Sequence, residues 1–502
     1  MLLPLAATLS TMTYTGDVPA AGGDYADVAF AVPAGTKEIR IAHSDGSEGE
    51  ILDWGVWSPD GFRGWGGGLT DDAVIGVAQS SRGYVAGPIA AGMWTLVIGK
   101  ALIDPSGAHY TVTVTCNDTA SLPVKPQAAY APIVRNAARG WYRGDFHVHS
   151  EESGDADATF DQITALAAAR GLDFVNLSDH NTVSQHALAA AYNASHTGPL
   201  LLRGAEITTY AGHGNAVGIS AYVDHRIGYR GRAITGVLAD VAAQGGIFIV
   251  NHPKLDLGMA CIGCAWNHPD TDWSRVAGLE LITGNWDTSI NTFVPQVLPM
   301  WDALLDRGYR IAAIGGSDDH TAGRSTGPTA SSVGSPTTLV LADNLSEAAI
   351  IAAIQHGRTI VQLRGPMDPV VDVHLRRADA SAAELGDDVD GITSAELTVA
   401  ITGGAGTIAQ LWRDGEKLDG QQPVTADPAT LTFRDPAPPG NHRYRVEVVN
   451  SLGSRLVVTS HIYATIVAPP AEPSDDGGGC GATRSLGLAP LLALLALRRR
   501  RT

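Results

Sequence analysis

Hydrophobic and polar positions follow two rhythms along this chain, a short alternation at both ends and a longer strand–helix period between them. Residues 28–32, 38–43, 94–98 and 110–116 are apolar or alternating segments set off by Gly, Pro and Asp clusters. The run from Tyr110 to Cys116 alternates at every step, as a half-buried strand does. With no helical period among them, these segments predict a β-sandwich over residues 1–138. From about Gly140 the texture changes. Helical periods at 160–170, 185–194, 234–243, 297–307 and 346–356 alternate with apolar runs at 172–177, 200–202, 247–250, 279–282, 310–314 and 359–363. Gly171 and Gly308 stand where helices close in a left-handed turn, and Ser346 stands where one is capped. Repeated strand–helix units with continuous apolar strands predict an α/β region over 139–365, a parallel sheet covered by helices and either open or closed as a barrel. Alternation resumes at 370–375, 397–401, 408–413 and 444–449, predicting an immunoglobulin-like β-sandwich over 366–466. Residues 467–502 are a Pro/Asp/Gly linker, an apolar run at 486–497 and the cluster Arg498–Arg501.

A chain of 502 residues suits about three domains, in keeping with this division. Hydrophobic residues at 44%, charged residues at 17% and 58 glycines describe a loop-rich globular protein. A formal charge of −18 argues against nucleic acid as a partner, because binding to its backbone needs a surplus of Lys and Arg. A small anionic substrate remains compatible, since bound cations reverse the field inside a pocket. Cys261 and Cys264 form a Cys-x-x-Cys with no second pair at similar spacing, which reads as a small disulfide loop of an oxidising compartment or as free thiols. Trp54, Trp57 and Trp65 are either core residues or a carbohydrate-stacking surface. Asp387, Asp388 and Asp390 are either a solvated acidic turn or a calcium loop, although their spacing matches no known loop of that kind.

Chemistry concentrates in the middle region. His147 and His149 flank Val148, so in an extended strand both imidazoles point to one side. Asp179-His180 follows an apolar strand, Glu206 and His213 follow in Gly204-Ala205-Glu206 and Gly212-His213-Gly214-Asn215, and His252 ends another strand. Asp318 and His320 end a further one in Gly315-Gly316-Ser317-Asp318-Asp319-His320. Singly, each is readily a hydrogen-bonded structural residue. Their recurrence at strand ends places them on one face of a parallel α/β unit, where they converge. Lys254 and Arg324, each just past a motif, are candidates for gripping an anion or else surface charges. Asp179 is a candidate to orient water or to support a ligand histidine.

These motifs, with Gly144-Asp145-Phe146-His147-Val148-His149-Ser150 and the stretch from Leu172 to Thr182, resemble in order the successive motifs of the PHP (polymerase and histidinol phosphatase) superfamily. More narrowly, they resemble its CehA/McbA-type metallohydrolases, over residues 140–365. The resemblance implies a distorted seven-stranded (β/α) barrel with two or three divalent transition metals, Zn, Mn or Fe. It further implies one metal on His147, His149, Glu206 and Asp318, and a second on His213 and His252 with Glu206 bridging. A third would sit on Asp155, His180 and His320, with Asp155 displaced from the familiar spacing by Gly154.

The activity so implied is a metal-dependent hydrolase, foremost a phosphoesterase in which metal-activated hydroxide attacks the substrate. An ester or carbamate hydrolase on the same site is the alternative, and an inactive surface binding module a third reading. The tail, Gly-Gly-Cys before an apolar run and an Arg cluster, resembles the C-terminal sorting tails of surface proteins in myxobacteria and related Gram-negative bacteria. It implies export to the cell surface or medium, with contact to membrane only through the tail and a cytoplasmic location as the alternative. The run is too short to span a bilayer comfortably, which takes about 20 residues. At the other end no Lys or Arg precedes the apolar start, making it a poor secretory signal or a fragment of one.

Overall fold

Tyr25–Val32 shows in one strand what builds the N-terminal part: Val28, Phe30 and Val32 are buried while Asp27, Ala29 and Ala31 face out. Side chains of period two demand a second apolar layer, and in the computed structural model two antiparallel four-stranded sheets supply it to each other. One sheet has the order Thr8–Val18, Ala108–Asn117, Glu38–Ser44 and Ala73–Gly76; the other has Tyr25–Val32, Gly92–Leu102, Ile51–Ser58 and Gly61–Gly67. Ile39, Ile41, Trp94, Val112 and Val114 lie in the core between them. The structure describes residues 7–44, 49–284, 292–327 and 330–469. The linker, apolar run and arginine cluster of the expected sorting tail, residues 470–502, lie outside them. No helix among the described residues is long and apolar enough to cross a membrane.

In the middle region the helices fall close to where their periods place them. Phe160–Ala169 starts at a capping box, in which the Thr159 side chain accepts from the Gln162 N–H while Gln162 reaches back to the Thr159 N–H. Glu347–Gln355 begins at Ser346, whose side chain accepts from Ala349 N–H. Val294–Asp306 starts ahead of its expected position because Pro295 fits the first helical turn.

The strands depart from the expected single barrel. Leu200–Leu202, Phe174–Leu177 and Gly140–Val148 pair in parallel, but Thr337–Ala342 and Thr359–Gln362 continue that sheet antiparallel. Gly204–Thr209, Gly212–Val217, Ile247–Val250, Val276–Thr283 and Ala312–Gly316 form a separate five-stranded sheet, whose first two strands are an antiparallel hairpin. A closed seven-stranded (β/α) barrel is therefore not what the described residues show. The protein is mostly β, with several sheets and few helices. The hairpin escapes a reading by apolar runs because its strands carry Gly, His and Asn in place of Val and Ile. Single parallel bridges, Val148 to Asp319 and His180 to Glu206, join the two sheets at their strand ends.

Past residue 366, Ala382–Ala383, Val370–Arg376, Ala395–Thr402 and Ala429–Asp435 make one antiparallel sheet. The facing layer, which includes Arg455–Thr459, Gly440–Val449 and Ile408–Arg413, is not separate from the middle region. Thr359–Gln362 pairs with Arg455–Thr459, so a single 12-stranded sheet runs across the boundary expected at residues 365 and 366. The Asp387 carboxylate is paired with Arg377 and Arg358, and that of Asp388 with Arg310; Asp388 and Asp390 lie in strand Asp388–Ile392, which pairs with Ile462–Ile466, so the segment is neither an acidic turn nor a calcium loop.

The seam between helix Val294–Asp306 and the C-terminal layer holds a buried ion network. Arg445, 1% exposed, lies 2.6 Å from Asp302 and 3.0 Å from Glu447, and Glu447 also pairs with Arg455. Removing one partner of such a network strands a buried charge. Arg445→Ala is expected to cost about 3–5 kcal/mol, read as a lower denaturant midpoint by tryptophan fluorescence; an unchanged midpoint would refute the role assigned to the network.

Candidate metal centre

The site grows from strand ends. Strand Gly140–Val148 carries His147, and His149 follows directly; both side chains are fully buried and their rings are 5.2 Å apart. His180 follows strand Phe174–Leu177, His252 follows Ile247–Val250, and Asp318 and His320 follow Ala312–Gly316. Glu206 and His213 come from the two strands of the hairpin, and Asp155 from the loop beyond His149. In that loop a Cβ on Gly154 would stand 2.7 Å from the Gly66 carbonyl oxygen of the N-terminal sandwich, so only glycine fits. The residue that shifts Asp155 in sequence is thus required by a close approach of two backbones, and Asp155 still lies 3.2 Å from His180 and 3.3 Å from His320.

Glu206 stands at the centre. Its carboxylate oxygens lie 3.3 Å from His147, 3.8 Å from His149, 2.9 Å from His180, 3.6 Å from His213 and 3.4 Å from His252. Burial alone would raise this carboxyl, but His147, His180 and His213 outweigh it and hold it well below the usual range. Asp318 lies 3.1 Å from both His147 and His149. Burial, with His320 and His180 beside it, pushes His149 down to about 3, so its imidazole is neutral and in the ligating form.

A test of fit for a metal comes from His147. Its Nε2 is buried and has no hydrogen-bond partner, although carboxylate oxygens of Asp318 and Glu206 lie 3.1 and 3.3 Å away. That geometry is wrong for a hydrogen bond and right for donors converging on a shared cation. Among the described residues, four overlapping groups have donor atoms within 4.8 Å of one another: His147, His149 and Asp318; His147, Glu206 and His252; His149, Asp155, His180 and His320; and His213, His252 and Cys264. All nine ligand candidates from the sequence fall into these groups. Imidazole and carboxylate together suit several divalent transition metals and select none.

Glu280, invisible to a reading by motifs, is a supporting residue. Its Oε1 lies 3.1 Å from His147 Nδ1, opposite the nitrogen that faces Glu206, and its Oε2 accepts from the His252 N–H at 2.8 Å. A carboxylate behind a ligand histidine fixes the ring and raises its basicity. The signal was a lone Glu inside the apolar run Leu279-Glu280-Leu281-Ile282, since a carboxylate is buried only when paired. Asn251 Nδ2 donates to Glu206 at 2.8 Å, and the Thr208 hydroxyl lies 2.6 Å from His180 Nδ1. Asn181, His252 and Asp318 adopt φ of 51°, 27° and 56°, a left-handed backbone that non-glycine residues hold only where packing enforces it.

Three other sequence candidates stand elsewhere. Asp179 is fully buried and accepts from the N–H and hydroxyl of Ser150, at 2.6 and 2.8 Å, so it pins the loop after His149 and does not reach the cleft. Lys254 is exposed and is not among the residues that line the cleft. Arg324 is exposed and bound to Asp157.

The cleft above the centre measures about 900 Å³. Asp53, Trp65 and Leu69 of the N-terminal sandwich form one wall, and Leu255, Ile262 and Phe293 another. No Lys or Arg lines it among the described residues. Trp54 and Trp65 are both 3% exposed, and the Trp65 ring packs edge-on at 4.4 Å against His225, so these tryptophans are core and cleft wall and not an open sugar platform. Tyr210, at the hairpin turn, donates to Asp53 at 2.7 Å and ties the sandwich to the ligand-bearing strands.

Two outcomes follow from this geometry. Glu280→Gln is expected to keep the fold and lose about 10–100-fold in metal affinity, measured by competition with a chromophoric chelator; equal affinity would remove Glu280 from the support of His147. Burial would lower the His320 imidazole, but the Asp155 carboxylate outweighs it and pushes it up to about 9. A metal must displace that proton. Binding at neutral pH should release protons to an indicator dye, and affinity should climb with pH and level off above about 9.

No family model matches the chain, and no curated protein matches it. Among solved structures it is similar to a two-domain protein from Bacteroides vulgatus containing a predicted PHP-like metal-dependent phosphoesterase, at 18% identity and a TM-score of 0.35. That similarity covers 68% of this chain and 100% of the other.

Proposed function

We propose that this chain is a metal-dependent hydrolase of the PHP type, acting on phosphoesters. The observation that carries the reading is the gathering of nine His, Asp and Glu side chains at one centre, five of their imidazoles within 4 Å of the buried Glu206 carboxylate, in the motif order described above. His147, His149, Glu206 and Asp318 would hold one cation, His213 and His252 with Glu206 a second, and Asp155, His180 and His320 a third. Divalent cations so held supply Lewis acidity and a water of lowered pKa. The chain's own contribution is to keep the donors in place and to shape the space above them. Glu280 and Asn251 hold His147 and Glu206 in orientation, and the buried strand ends exclude bulk water from one side of the cleft. Trp65, Leu69 and Phe293 offer a surface on which the leaving group can rest.

A second reading, carboxyl ester or carbamate hydrolysis, is favoured by one feature. A phosphate monoester brings two negative charges, and the described lining of the cleft offers neither Lys nor Arg to meet them. A neutral scissile group needs no such partner. The complete ligand set argues against an inactive binding module. An extracytoplasmic location is part of the proposal; the disulfide between Cys261 and Cys264 supports it, because such bonds persist where the environment is oxidising.

Protein reconstituted with Zn²⁺ or Mn²⁺ is to be assayed on p-nitrophenyl phosphate, bis(p-nitrophenyl) phosphate and p-nitrophenyl acetate. Turnover of the phosphoesters supports the first reading, and turnover of the acetate alone selects the second. Glu206→Gln is expected to lose bound metal and at least about 100-fold in turnover together, being a direct ligand where outer partners already carry 10–100-fold. Normal turnover in this variant would sink the assignment of Glu206 as the shared ligand.

A further inference from the structure

The loop containing Cys261 and Cys264, joined as a disulfide, closes over the His213 and His252 side of the centre. Its backbone holds both rings. His213 Nε2 lies 3.1 Å from the Ile262 carbonyl and His252 Nδ1 lies 3.2 Å from that of Cys264. A carbonyl only accepts, so both nitrogens carry hydrogen. The opposite nitrogens, His213 Nδ1 and His252 Nε2, face Glu206 at 3.6 and 3.4 Å, on the side where the donors converge. The loop is wedged in place: a Cβ on Gly263 would meet the Thr209 carbonyl oxygen of the hairpin at 2.5 Å.

The same loop carries a sulfur into ligand range. Cys264 is 1% exposed, and its Sγ and one nitrogen each of His213 and His252 all lie within 4.8 Å of one another. Donors around one zinc ion, each about 2.0–2.3 Å from it, stand roughly 3–4 Å apart, so a small inward shift brings all three onto one cation. Within the disulfide this sulfur is a poor donor; as a thiolate it is a strong one.

We propose that the Cys261–Cys264 pair is a thiol–disulfide switch on the metal centre, in which reduction makes Cys264 a thiolate ligand beside His213 and His252. The inference rests on the reading that these histidines hold a metal. The reductant is a dithiol. It attacks the S–S bond, passes two electrons and two protons to give two cysteine thiols, and leaves as its own cyclic disulfide. Cys264 then gives its proton to solvent as its sulfur bonds the cation, while Cys261 stays a thiol. The oxidised centre, built of imidazole and carboxylate, accommodates Mn, Fe or Zn, whereas added thiolate shifts preference toward softer ions such as Zn²⁺ and Co²⁺.

The full chain, either oxidised or reduced with dithiothreitol and then freed of it under anaerobic conditions, is titrated with Co²⁺ alone and followed by absorption. The reduced form is expected to gain a sulfur-to-cobalt charge-transfer band that the oxidised form lacks. The band is expected to vanish in Cys264→Ser and to persist in a Cys116→Ala, Cys480→Ser double variant. Cobalt uptake by both forms with no such band in the reduced one overturns the switch and leaves the histidine metal site standing. A band that survives Cys264→Ser also overturns it. No cobalt uptake by either form overturns both the switch and the metal reading beneath it.

Discussion

The buried carboxylate of Glu206 is the constraint on which the rest of the structure depends. Five imidazoles stand within 4 Å of it, from His147, His149, His180, His213 and His252, at a position closed to solvent. An ionised group in such surroundings is tolerated only when opposite charge and hydrogen bonds compensate its lost hydration. The strand ends therefore have to arrive together. Two separate sheets meet at single bridges next to His180, Glu206 and Asp319, and several residues there accept left-handed backbone. A cation among these donors would relieve the same demand, which is why a centre so costly to assemble from protein alone points to metal.

The N-terminal sandwich belongs to this arrangement. Tyr210 reaches from the hairpin turn to Asp53, and a Cβ on Gly99 would stand 2.2 Å from the Tyr210 hydroxyl, so the sandwich has a seat for it. Gly154, in the loop that bears Asp155, meets Gly66 of the sandwich. The sandwich thus sets both the position of the ligand strands and the shape of the space above them. Its packing and the chemistry of the centre are one problem.

Much of this was legible in the sequence where a local signal exists. An apolar run closed by Asn251-His252-Pro253 announces both a strand and the residue at its end, and Ser346 marks a helix start. The hairpin of Glu206 and His213 was hidden because small and polar residues fill strands whose ladder hydrogen bonds need no particular side chain. Glu280 was hidden inside an apolar run. Lys254 and Arg324 were placed by nearness in sequence, which fixes the backbone and leaves open where a long side chain points: one faces solvent and the other binds Asp157. The wall formed by Trp65 and Leu69 comes from a part of the chain that precedes every motif and lies in another sheet pair, and no local pattern reports such a contact.

The strand Thr359–Gln362 gives the chain's modular appearance a different meaning. One of its edges pairs with Thr337–Ala342 and the other with Arg455–Thr459. Cutting the chain at the expected boundary between residues 365 and 366 would leave Val361 and its neighbours with a row of unpaired amides and carbonyls at a new sheet edge, a ready template for intermolecular pairing. The C-terminal sandwich is in this sense the edge protection of the sheet that carries His147. Truncation, domain exchange and fusion have to respect a hydrogen-bonded continuity that the sequence pattern divides.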